Sequence, residues 1–332
     1  MDPTPKSAHQ DAALTAISIA HRNANFIADR VFPNVPVDKQ SDKYYTFPKA
    51  AWFRKAGKRG PGARAGRSGY KVSSGDYRCE ETAEGHPIPL ELLNNADSPL
   101  DPMASGVRFA TNAVMLAKEY DVSALVMNAS NWTTDDDVDA DWNHADASNT
   151  FISDIRDAKE TLRRLIGRYP NRLLMDSKTF KEITQIADVL DRIKYTGTQG
   201  KPADVTAAVL AQLFELDEVL IGNALYNSAE ETVAAAEWTA VDLWEVNATK
   251  GSALLYYAPT LPAIEEPAAG YTFNWKGAAG DMAEQLESDV YRSVRRYYEE
   301  AEKQWVVECS EYYDPKITSA AAGVLFHDTI VT

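Results

Sequence analysis

The chain has 332 residues, 45% of them apolar and 25% charged, which is the composition of a globular protein with room for more than one core. Its 49 acidic and 34 basic residues leave a formal charge of −15, so its overall field repels nucleic acid and anionic membranes. Cys79 and Cys309 are the only cysteines, too few for a zinc quartet or a disulfide framework. No run approaches 18 apolar residues, which excludes a spanning helix.

Residues 1–40 read as an arm. Ala13, Leu14, Ile17 and Ala20 recur at helical spacing, Phe26, Ile27 and Val31 continue the stripe, and Pro33 and Pro36 force extension. The mildly apolar Ala12–Ala20 is broken by Thr15 and Ser18 and lacks a basic flank, which argues against a cleaved signal. Next, YYTFPKAAWF at 44–53 is aromatic and strand-like, with Pro48 suiting an edge. The segment RKAGKRGPGARAGRSG at 54–69 holds five glycines and a proline and has little to bury. A second strand-like run spans 70–82, so the spacing predicts one long two-stranded projection that must lie on a surface.

Between Lys43 and Arg78 stand ten basic residues and one acid, Asp76. A basic hairpin on an acidic body is complementary between copies of one protein, though a solvated basic loop on a monomer fits the same pattern.

Residues 103–128 predict a long helix with Val107, Ala110, Val114, Ala117 and Leu125 on one face. Residues 131–149 read as an acidic loop, and 154–167 as a helix closed by Gly167. A mixed α/β block follows. A strand at 172–175 leads to a helix capped by Asp176 or Ser177 and reaching about Asp191, then a helix at 206–214 and a strand at 218–222. Strands are expected at 252–258 and 271–275. In 288–313, Val290, Val294, Trp305, Val307 and Cys309 share a buried face while arginines and glutamates point outward, with the turn at 299–303. The run 320–331 is a final strand.

Catalytic patterns are missing. The glycines at 62 and 66 have the wrong spacing for a phosphate loop, with Arg67 in place of lysine and no apolar strand before them. His9, His21, His86, His144 and His327 stand singly, outside any metal-ligand spacing. Asp135, Asp136, Asp137, Asp139, Asp141 and Asp146 invite a hard cation, but an EF-hand starting at Asp135 would need glycine at Ala140 and glutamate at Asp146.

The order of these parts, an α+β chain throughout, resembles the major capsid proteins of tailed bacteriophages, whose fold also forms the herpesvirus capsid floor. The stretches carrying the resemblance are NFIADRVFPNVPVDKQSDKYYTF, LLMDSKTFKEITQIADVLDRIKY, LAQLFELDEVLIGNALYN and GYTFNW. It implies an N-terminal arm at 1–40, an extended hairpin loop at 41–86, and a peripheral domain at 87–169 with its spine helix at 103–128. An axial domain at 170–258, returning peripheral strands at 259–315 and a C-terminal strand at 316–332 complete it. It further implies a non-enzymatic homo-oligomer of hexamers and pentamers that encloses DNA in a virion without reading its sequence. No cofactor is expected. A separate scaffolding protein is expected, because no long helical extension precedes the arm, together with a portal, while the presence of decoration proteins is left open. Lys43, Lys49, Lys55, Lys58 and Lys71 are available for the covalent welding some members perform.

Under this resemblance Tyr44, Tyr45, Trp52, Phe53, Arg54, Lys55, Lys58, Arg59, Arg64 and Arg67 contact a neighbouring copy, with Glu299, Glu300 and Glu302 as acidic acceptors. A tail-tube, portal or decoration subunit is the second reading, and a cytosolic enzyme the third.

Overall fold

A computed structural model describes residues 9–10, 25–46, 53–67, 69–96, 100–138, 141–143, 149–194, 205–229, 239–246, 250–262, 266–277 and 291–331. The strands are β1 (His9–Gln10), β2 (Asn34–Val37), β3 (Ser41–Thr46), β4 (Ser73–Arg78), β5 (Glu80–Pro89), β6 (Thr134–Asp137), β7 (Arg172–Asp176), β8 (Glu218–Gly222), β9 (Leu225–Asn227), β10 (Ala240–Asp242), β11 (Lys250–Tyr256), β12 (Gly270–Trp275), β13 (Arg292–Glu299), β14 (Gln304–Ile317) and β15 (Gly323–Val331). The helices are α1 (Ala28–Val31), α2 (Leu90–Asn95), α3 (Pro102–Val126), α4 (Phe151–Ile166), α5 (Ser177–Ile183), α6 (Ala187–Lys194) and α7 (Ala207–Leu213).

The long helix α3 organises the first sheet. Asp101 caps it by accepting from the Ala104 N–H at 3.1 Å, and Pro102 pre-sets the first turn. From there α3 rises about 37 Å at 1.5 Å per residue. Val107, Ala110 and Val114 bury against Ile88, Val294, Val307 and Cys309 of the sheet ordered β1-β13-β14-β12-β2, with β5 on the other side of β14. Alternation along β13 and β14 is why those residues share a face.

The second sheet runs β6-β15-β11-β7-β8 and is buried on both faces. Leu173, Met175, Ala253, Leu255, Val324 and Phe326 meet Phe151, Ile155 and Leu162 of α4. The alternate residues Leu174, Leu254, Tyr256 and Leu325 face a core shared with Val31, Phe32, Val122 and Val126. Period-two runs without polar interruption are the signature of a strand covered from both sides. Among the described residues, no helix is long and apolar enough to cross a membrane.

Several expectations need correction. The ladder of the basic projection is only six residues long on each side, Ser41–Thr46 against Ser73–Arg78. The strand expected to end at residue 82 instead breaks at buried Cys79 and continues as β5 to Pro89 in the first sheet. The acidic stretch at 131–149 is not wholly loop, because Thr134–Asp137 pairs in parallel with β15. The helix expected from Asp176 to Asp191 divides into α5 and α6, with Asp176 capping the first through the Thr179 N–H at 3.3 Å.

Two corrections concern charge and burial. From Ile27 onward the stretch read as an arm lies in the body, with Ile27, Ala28, Val31 and Phe32 buried and β2 paired with β12. Arg292 and Glu311, expected to point outward, are buried and bonded to each other at 2.9 Å. Their positions fall on the inward phase of β13 and β14, where α3 supplies Lys118 as a partner. Val290 lies outside the described residues, and Trp305 is only partly buried.

Candidate assembly interface

The projection is fastened at its root. Tyr44 and Tyr77 stack on Phe273 with centroids 5.4 and 4.6 Å away. Gly75 sits opposite Tyr44 in the ladder, and a side chain there would enter the Tyr44 ring. The Gln40 side chain donates to the Cys79 carbonyl at 3.0 Å, the Cys79 N–H to the Gln40 carbonyl at 2.8 Å, and the Arg78 N–H to Asp314 at 2.8 Å. Burial pushes the Cys79 thiol up to about 12, so it is an inert packing group.

Beyond the root the chain leaves the body. Arg54, Lys55, Lys58, Arg59, Arg64 and Arg67 are all exposed, and among the described residues none of their side chains forms an ion pair or hydrogen bond. Gly60 and Gly62 make the turn at the tip, where the Ala63 N–H reaches the Gly60 carbonyl at 3.2 Å and Gly62 holds φ 76°. Seven cations between residues 54 and 71, counting Lys71, repel one another across a stretch without a carboxylate. An anionic surface relieves that repulsion.

The four aromatic residues expected at the contact separate. Tyr44 is committed to its own chain, because alternation in β3 turns it inward onto Phe273 of the first sheet. Tyr45 points the other way and is 61% exposed. Phe53 is 64% exposed, with one ring edge against Gly167, whose φ of 77° and missing side chain leave room for it. Trp52 lies outside the described residues. Tyr45 and Phe53 rim a cavity of about 760 Å³ between the projection and the body, floored by Val35, Ile166, Pro267 and Phe273.

Glu299, Glu300 and Glu302 gather at the turn joining β13 and β14, where Lys303 takes φ 53°. Glu299 and Glu302 both accept from the Gln304 amide, so two of the three are partly engaged. The Leu90 N–H bonds the Lys303 carbonyl at 3.1 Å, which places Glu91 beside this turn. A second row of exposed acids escaped the sequence reading. Glu80, Glu81 and Glu84 lie along β5, which among the described residues pairs on one side only. Their signal was the run EETAEGHP directly after the basic segment.

The acidic stretch near residue 135 folds toward the second sheet. Asp135 and Asp137 approach His327 at 3.7 and 3.9 Å, and Asp137, His327 and Asp328 place ligand atoms within 4.8 Å of one another. Lys250 already pairs with Asp328, so part of this charge is met within the chain. Asp139 and Asp146 lie outside the described residues, Asp141 opens a short 3-10 turn, and Asp136 is held above the usual carboxylate range by burial and by Asp154.

Between α3 and the first sheet lies a buried polar cluster. Lys118 reaches Asp29 at 2.7 Å, Glu311 at 2.8 Å and Asn34 at 3.0 Å, matching its three N–H bonds. Glu311 also accepts from Asn274 at 2.8 Å. Burial opposes charge on Lys118, but Asp29 and Glu311 outweigh it and raise its pKa. Burial likewise works against Glu311, and Lys118 with Arg292 holds it low.

No protein-family model matches the chain. It is 31% identical over 232 residues to the major capsid protein of Pseudomonas phage JBD67, an alignment covering 66% of this chain and 70% of that one. It is 26% identical over 270 residues to the major capsid protein of Burkholderia phage BcepMu, covering 80% and 84%. Among solved structures it resembles a phage-related protein of Bordetella bronchiseptica RB50, with a TM-score of 0.72, 23% identity, and 98% and 99% of the two chains covered. It also resembles the capsid of cyanophage P-SCSP1u, with a TM-score of 0.57, 10% identity, and coverage of 93% and 89%.

Proposed function

The chain belongs to the phage major capsid proteins, and on that premise we propose that it is the shell subunit of a tailed phage, packing as hexamers and pentamers into an icosahedral head around double-stranded DNA. The observation that carries this reading is the fastened root and free basic tip of the projection. Among the described residues, the six cations of the tip have no partner on the body they spring from, and Tyr45 and Phe53 leave most of their surface open beside them. Acids at 299–302 and along β5 supply the complement on an adjoining copy. Each such exposed pair contributes about 0–1 kcal/mol, and repetition around a closed shell makes the sum large. The net charge of −15 suits an inner wall that packed DNA does not stick to.

The shell forms in the host cytoplasm with a separate scaffolding protein, gains a portal, and ends in the virion. The subunit itself catalyses no reaction. Electron microscopy of the full chain expressed with its scaffolding partner should show closed icosahedral particles. Rings or open tubes would instead identify a portal or tail-tube subunit.

A further inference from the structure

Glu119, next to Lys118 on α3, is wholly buried and gathers two distant parts of the chain. Its Oε1 accepts from the Ile27 N–H at 2.9 Å and from the Trp244 indole at 2.7 Å, and its Oε2 accepts from the Ala28 N–H at 2.7 Å. These contacts sit at the start of a segment that bridges both sheets. Residues 34–37 pair with β12 of the first sheet, Arg30 pairs with Glu218 of β8 in the second, and Arg172 of β7 donates to the Arg30 carbonyl. Ile27, Val31 and Phe32 fill the core between them. Segment 27–37 is therefore a brace joining the two sheets, and a single carboxylate secures its leading end.

We propose that Glu119 is a proton-controlled clasp that keeps the brace 27–37 seated in mildly acid medium and favours its release as the medium turns alkaline. A buried carboxylate gains by reaching water, and lifting the brace is what uncovers this one. Protonation removes that incentive, while Oε1 continues to accept from Ile27 and Trp244.

The surrounding charges stay fixed across the relevant range. On the brace, Asp29 is drawn upward by burial but more strongly downward by Lys118, to about 2. Lys118 on the same helix is raised, Glu311 on β14 is lowered, and Arg292 on β13 is raised, so all three remain charged. Glu119 differs. Burial outweighs its three N–H donors and lifts it from the ordinary 4.5 to about 7. The seated state thus binds more protons than the released one between these values, and its advantage falls as pH rises through that window.

Hydrogen exchange of the full chain, corrected for intrinsic rates, reads the opening of residues 27–37 directly. From pH 5.5 to 8.5 the opening equilibrium should grow about thirtyfold, levelling off above pH 7. Glu119→Gln should flatten this dependence. Trp244→Phe, which removes one donor and keeps a ring in the core, should move the midpoint upward. A flat wild-type profile, or a profile unchanged in both variants, overturns the proposal. This test does not depend on shell formation, so its failure leaves the capsid assignment untouched.

Discussion

Glu311→Ala should cost the free protomer about 3–5 kcal/mol, enough to approach unfolding in a marginally stable lobe. The carboxylate has no exposure and accepts from Lys118 and Asn274 at 2.8 Å and from Arg292 at 2.9 Å. Truncation leaves Lys118 and Arg292, both nearly inaccessible to water, facing a space that held their counter-charge. Asp29 still holds Lys118, which keeps the cost below that of a fully orphaned cation. Glu308→Ala is the control on the same strand. Its partner Arg295 has a side chain 45% exposed, so that loss should stay within about 1 kcal/mol. Urea denaturation midpoints of the two variants compare them directly. Equal shifts would mean that the buried cluster is not what holds α3 to the sheet.

Replacing Arg54, Lys55, Lys58 and Arg59 together with glutamate should leave protomer stability near wild type and abolish particles. All four side chains are exposed and unpaired among the described residues, so the fold loses nothing by their change. In a shell the same change turns attraction into repulsion at every copy of the contact. Like charges placed opposite one another at an interface cost several kcal/mol and act against association more strongly than simple removal. Sedimentation and negative-stain microscopy read the result, with a folded, monodisperse subunit expected where wild type forms shells. Normal particles from the quadruple variant would remove the basic tip from any account of assembly.

Much of this was legible from residue patterns. Helix α3 announces itself by apolar spacing and an Asp-Pro start, and β13 and β14 by Val294, Val307 and Cys309 falling on one phase of a two-residue period. The projection is visible as a glycine-rich, one-signed interruption between aromatic strands. What stayed hidden depended on distant partners. Lys118 lies on the buried stripe of α3, following Val107, Ala110 and Val114 at intervals of three and four, yet nothing local shows that Asp29 and Glu311 meet it. Glu119 was unreadable for the same reason, its donors being about 90 and 125 residues away. The inward turn of Arg292 required knowing which face of β13 the helix covers. Tyr44 was grouped with Tyr45 by composition, although adjacent residues in a strand point to opposite faces. The acids of β5 went unnoticed because the strand appeared to end before its register in the first sheet was known.

A density map of particles assembled from the full chain tests the ribbon's role most directly, read at residues 53–72. Arg54, Lys55, Lys58, Arg59, Arg64 and Arg67 should lie within ion-pair reach of carboxylates on an adjoining copy, at the 299–302 turn or along Glu80, Glu81 and Glu84. A map in which that ribbon rests on its own subunit, with no second copy beside its cations, would contradict the account.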